Sequence, residues 1–226
     1  MLRGVVSARR QRLLGVAVVT VAFCAAIALY VLSLTSSPAA VASAAGAAQG
    51  SARLTLQTVA AIGPRYPNPD WVSYLARKPN GKWIHSTNLT VPAHSLVRVT
   101  IYQYDSSTGL RNPFFARVQG TTGKTMQLDG KTVAAVAPAA PAHTFAVPQL
   151  GVFVPLAGVA DNAKNQCAEA PCTLSEAHHT ITFTFRTGAR GRFRWQCFVP
   201  CGAGYLNGNG GPMQSFNYMA GWLVVV

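Results

Sequence analysis

Every second side chain from Ile181 to Arg186 is apolar: Ile181, Phe183 and Phe185 alternate with Thr182, Thr184 and Arg186. A period of two requires a strand with one face on a core and the other toward water, and it excludes a helix. Val97, Val99 and Ile101 repeat the pattern against Arg98 and Thr100, after which Tyr102 and Tyr104 place rings on the opposite side around Gln103. Other strand-like runs are LTLQTVAAI (54–62), WIHSTNLTV (83–91), HTFAVPQLGVFVPL (143–156), RFRWQCFV (192–199) and a closing strand from Trp222 to Val226. Gly-, Pro- and Asn-rich turns separate them. Beyond the N-terminal segment no helical stretch is visible, so the pattern predicts an all-β sandwich.

The N-terminal segment follows a different rule. Leu13 to Leu34 runs 22 residues without a charge, long enough to cross a hydrocarbon layer as a helix. Arg3, Arg9, Arg10 and Arg12 precede it, and basic residues before a first span hold that end in the cytoplasm. The expected organisation is a basic cytoplasmic N-terminus (1–12), a retained single-pass transmembrane anchor (13–35), a small-residue flexible linker (36–52) and an extracytoplasmic domain (53–226). Ala40, Ala42, Ser43 and Ala44 would also suit cleavage of a signal peptide, but secretory apolar cores usually run only about 7 to 15 residues. Either route exports the domain, and retention places it at the cell membrane.

The formal charge is +13, and four of the 19 basic residues precede the anchor. The remaining 15 face all six acids, leaving about +9 on the exported part. Such a surface fits a lipid face or an acidic protein partner; no nucleic-acid-binding motif is present, so nucleic acid is not expected. Six acids leave little scope for paired-carboxylate chemistry. No Ser, His and acid constellation lies on an elbow sequence, so hydrolytic catalysis is not expected either.

Residues 105–142 break the strand pattern with Gly-rich turns and an Ala/Pro tract, and read as a hairpin-bearing insertion: an interaction surface or an unrecognised pair of strands. His85 and His94 lie near turns without ligand-type neighbours and read as solvent-facing or locally hydrogen-bonded. Of five cysteines, Cys24 lies in the apolar segment. Cys167 and Cys172 sit in a polar loop without a neighbouring histidine, which in an oxidising compartment reads as a disulfide. Cys197 and Cys201 read differently. A bridge closing so short a loop constrains the unfolded chain little, whereas two thiolates at this spacing can face one soft metal. Trp195, two residues before Cys197, should share its face and pack in the core.

His143-Thr144-Phe145 beside Pro148, the strand ending at Cys197, the Cys197-x-x-x-Cys201-Gly202 loop and Met219-Ala220-Gly221 before the last strand together resemble the cupredoxin family. By motif the chain is most similar to the CuA-type copper domains of cytochrome c oxidase subunit II and nitrous oxide reductase. The resemblance spans roughly residues 85–226, with 105–142 outside it. It implies a Greek-key topology for the sandwich and a copper cofactor held by His143, Cys197, Cys201 and Met219, with Met213 as the alternative thioether and the carbonyl of Phe198 or Val199 near a second metal. One departure stands out. The family's second histidine is missing, since Tyr205 and Phe216 occupy the matching positions, unless His178 or His179 folds back. The resemblance further implies electron transfer to or within a respiratory complex, an oxidase being the candidate partner. A copper chaperone or assembly factor, and a metal-free structural accessory subunit, are the alternatives. None of these is an enzyme by itself.

Overall fold

The computed structural model describes residues 2–35, 41–48, 50–66, 70–201, 211–213, 215 and 217–226. The chain divides into two units, Met1–Pro38 and Ala39–Val226. The first holds one helix, α1 (Leu2–Thr35), within which Arg10–Leu32 is long and apolar enough to span a membrane.

The second unit is all β. Its strands are β1 (Val41–Ser43), β2 (Ala45–Ala48), β3 (Ser51–Val59), β4 (Ser73–Arg77), β5 (Trp83–Ile84), β6 (Asn88–Val91), β7 (Leu96–Gln103), β8 (Met126–Leu128), β9 (Lys131–Val133), β10 (Pro141–Val147), β11 (Val152–Ala157), β12 (His179–Arg186), β13 (Gly191–Gln196) and β14 (Ala220–Val225). One sheet runs β1-β6-β14-β13-β10-β11. The other runs β5-β4-β3-β7-β12-β8-β9, with β2 paired to β3. The expected two-sheet β architecture, preceded by one apolar helix, is the architecture found.

Alternation explains the layering. Val97, Val99 and Ile101 of β7 and Ile181, Phe183 and Phe185 of β12 are buried and lie opposite one another in antiparallel register, Ile181 against Ile101 and Phe183 against Val99. They meet Phe145, Val147, Val154, Leu156 and Leu223 from the other sheet in one continuous core. Trp195 is fully buried in it, stacked on Phe145 at 5.0 Å and edge-on to Tyr74 at 4.9 Å, as its place two residues before Cys197 led us to expect. Burying such rings contributes about 2–3 kcal/mol each.

The structure redraws two stretches and fills in a third, the expected hairpin of the 105–142 insertion. Residues 41–48, expected as linker, form β1 and β2, which pair with β6 and β3. The run Trp83–Val91, expected as one strand, is two strands in different sheets, with residues 85–87 carrying the chain across. The 105–142 stretch contains the β8–β9 hairpin, turning at Asp129 and Gly130, both at positive φ, and β8 adds to β12.

Candidate metal centre

β10 carries His143 in its interior, where all seven residues of the strand are buried. β13 ends at Gln196, so Cys197 begins the loop that returns to β14, and the Cys197 N–H donates to the Met219 carbonyl at 2.8 Å. Ala146 pairs with Gln196 across β10 and β13, which brings His143 to the same end of the sheet as the cysteine loop.

Three sequence-selected side chains meet there. His143 Nδ1 lies 3.0 Å from Cys201 Sγ and 3.8 Å from Cys197 Sγ, and the two sulfurs stand 3.3 Å apart, unbonded. All three are at most 3% exposed, and their donor atoms lie within 4.8 Å of one another. The Val199 carbonyl approaches both sulfurs, at 2.9 Å from Cys201 and 3.3 Å from Cys197. Met219 and Met213 are buried in the core cluster that holds both cysteines.

The loops around the donors are braced. Thr144 N–H donates to Cys197 Sγ at 3.4 Å, Thr144 Oγ1 accepts from the Phe198 N–H at 2.8 Å, and the buried Tyr74 hydroxyl donates to the Thr144 carbonyl at 3.0 Å. Thr87 latches the far side. Its Oγ1 accepts from the Asn217 N–H and donates to the Ala220 carbonyl, while its own carbonyl accepts from the Trp195 indole.

Sequence reasoning missed Asp105, whose Oδ2 lies 2.8 Å from His143 Nε2. An Nε2–H donated to this carboxylate leaves the Nδ1 lone pair aimed at the sulfurs, the arrangement that orients an imidazole ligand. The two residues are 38 positions apart, so no spacing signal joins them. The one available hint was an acid at the end of a strand in a chain with only six.

Electrostatics follow from burial and from this triangle. Burial disfavours a charged imidazole, but the hydrogen bonds and charges of Asp105 and Cys197 outweigh it and raise the His143 pKa to about 9. Burial likewise opposes a Cys197 thiolate, yet hydrogen bonds from Cys201 and His143, the His143 charge and the Thr144 N–H hold its pKa well below the usual thiol range. Cys201 is pushed the other way, by its hydrogen bond to Cys197 and then by burial. These directions favour charge separation between His143 and Cys197, with Cys201 the harder thiol to ionise.

The remaining histidines lie elsewhere. His178 bonds the Glu176 carbonyl and packs against Tyr104, His179 pairs with Asp129, and His94 is exposed at positive φ. His85, expected near solvent or locally bonded, is instead half-buried against Tyr66 and Tyr218 and bonded to Ser73 Oγ at 3.0 Å, twelve positions away. Neither His178 nor His179 folds back, so the donor group within 4.8 Å contains one imidazole. Tyr205 and Phe216 lie outside the described residues. Cys167 and Cys172 form a disulfide, and Cys24 is an exposed free thiol.

No protein-family model matches the chain, and no curated protein does. Among solved structures it is similar to rusticyanin from Thiobacillus ferrooxidans, at 16% identity over 82% of each chain with a TM-score of 0.33. It is also similar to a chain of a heme-copper terminal oxidase dimer, at 10% identity over 94% of this chain and 97% of that one with a TM-score of 0.34.

Proposed function

We propose that the chain is a membrane-anchored, extracytoplasmic copper protein of cupredoxin type that transfers electrons to or within a respiratory complex. His143, Cys197, Cys201 and Met219 are its ligands, with Met213 as the alternative thioether. The observation that carries this reading is the convergence of His143 Nδ1 on two unbonded, buried sulfurs while Nε2 is held by Asp105.

The donors fit the ion. Two thiolates, one imidazole and a thioether form a soft set that selects copper over hard cations, and preformed loops limit rearrangement between oxidation states. Copper held there would supply a one-electron couple. The protein's part is to orient Nδ1 through Asp105, to exclude water through the surrounding core, and to fix the sulfurs through Thr144 and the Cys197–Met219 backbone bond. The α1 span would tether the domain, and the arginines preceding it would keep the N-terminus cytoplasmic.

A second reading, a Cu(I) carrier for assembly of a copper enzyme, is favoured by the single imidazole, because a set dominated by sulfur stabilises Cu(I). Purification of the full chain in detergent, copper loading, and measurement of stoichiometry, visible spectrum and potential separate the two. Strong thiolate-to-Cu(II) absorption with reversible reduction supports the electron carrier. Tight Cu(I) binding without a stable Cu(II) form supports the carrier of copper, and failure of the reduced chain to bind copper overturns both.

A further inference from the structure

The stretch from 105 to 142 packs Phe114 and Phe115 against each other and against Phe153, whose ring in turn meets Phe198 at the metal-site loop. Phe198 directly follows Cys197, and its ring lies 5.7 Å from that of Phe153 on β11. Phe153 meets Phe115 at 5.8 Å with planes 8° apart, and Phe114 edge-on at 5.1 Å. The outer side of this ring cluster is open: Phe114 is 55% exposed, and Leu110, four residues earlier in the chain, is 41% exposed.

This end is rigidly built. Asn112 Oδ1 accepts from the Phe114 N–H at 2.9 Å, and the Arg117 N–H donates to the Phe114 carbonyl. Gln119 and Phe153 exchange two backbone hydrogen bonds, at 2.8 and 2.9 Å, so the segment is sewn to β11 at the edge of its sheet. A preordered aromatic loses little entropy when it is covered, and Phe and Arg are enriched in the buried centres of interfaces.

Charge identifies the occupant. Residues 106–128 carry Arg111, Arg117 and Lys124 and no acid, and all three cations are exposed. We propose that the exposed Phe114, with the exposed Leu110, Arg111 and Arg117 close to it in sequence, docks an acidic electron-transfer protein whose carboxylates ring an apolar socket. Resting on the electron-transfer reading, this proposal locates the partner's footprint on that side of the copper site, one cluster of packed rings from Cys197. It also accounts for the 105–142 stretch, which holds the patch against β11.

The test uses the full chain in detergent, with an acidic c-type cytochrome as probe and a basic one of similar size as control, titrated calorimetrically with and without copper. The acidic cytochrome should bind, more weakly as ionic strength rises, and the basic one should not. Phe114→Ser, and separately the Arg111→Gln/Arg117→Gln pair, should weaken binding by about tenfold or more, whereas Lys78→Gln, on another exposed turn, should not. Absent binding, stronger binding of the basic cytochrome, or binding indifferent to Phe114 and to the arginine pair each overturns the docking site. The patch contains no ligand, so the two readings fail separately. A chain that never takes up copper yet binds through Phe114 removes the electron carrier and keeps the surface. A copper-loaded chain indifferent to Phe114 does the reverse.

Discussion

His143 Nε2 and Asp105 Oδ2 stand 2.8 Å apart, joining a fully buried ring on β10 to a partly exposed carboxylate just past the end of β7. The bond spans the two sheets and settles which imidazole nitrogen faces the cysteines. Asp105→Asn keeps the shape but removes the charge, and the amide can present its NH₂ to Nε2, which favours the wrong tautomer. The expected result is a loss of about 10- to 100-fold in copper affinity with the fold retained, measured by competition against a Cu(I) chelator. An affinity within twofold of the parent would mean that Asp105 does not orient the ligand.

The ion-free site makes a pH prediction. His143 has its pKa raised to about 9 in the folded chain, so its contribution to stability is complete below the unfolded value of about 6.5 and disappears as pH rises through about 9. Cys197 is depressed, so its contribution is complete above the ordinary thiol range and is lost as pH falls through its lowered value. Between those limits the pair is charged while Cys201 stays protonated. Ultraviolet thiolate absorbance of the copper-free chain, taken as a difference from Cys197→Ser, should show one thiolate at neutral pH. Absorbance that appears only at the ordinary thiol pKa would refute the ion pair.

A second titration is independent of the metal site. Burial among Tyr66 and Tyr218 lowers the His85 pKa to about 4, against a weaker opposing effect of the Asn217 carbonyl. A depressed histidine destabilises the fold on protonation, so stability should fall as pH drops from about 6.5 to about 4. Thermal melts of the parent and of His85→Gln across that range measure the effect. The variant should show a shallower acid slope, and equal slopes would assign the acid sensitivity elsewhere.

How much of this was legible beforehand divides by kind of signal. β7, β12 and the β10–β11 pair announced themselves by alternation or by apolar runs, because each presents a face to the core. β1 and β2 did not, since Ala, Gly and Ser carry no periodic apolar signal and these strands are held by backbone pairing to β6 and β3. β4, SYLAR, is buried at four successive positions, so both faces are covered and alternation is erased. At the site, His143 and the two cysteines were recognisable by residue type, the histidine in an apolar strand-like run and the cysteines four apart where another strand gives way to a loop. Asp105 and Thr87 were not, because their roles depend on a meeting of distant segments that only the folded sheets create.

Gly221 shows the same limit and supplies another test. It is packed so closely on Thr87 that an added Cβ would collide with the Thr87 carbonyl and Oγ1. Since backbone cannot yield as a side-chain tip can, Gly221→Ala should cost about 3 kcal/mol or more, or prevent folding. Thr87→Val, which removes two hydrogen bonds from a buried site, should cost about 1–3 kcal/mol. Denaturant unfolding of the two variants should preserve that order, and a Gly221→Ala variant as stable as the parent would contradict the close packing.

The most direct measurement of the central claim is copper K-edge X-ray absorption on the loaded full chain, compared with His143→Ala and Cys197→Ser. Two thiolate sulfurs and one imidazole nitrogen should surround the ion, with the nitrogen lost in the first variant and a sulfur lost in the second. Copper surrounded by nitrogen and oxygen alone, unchanged by either substitution, would contradict it.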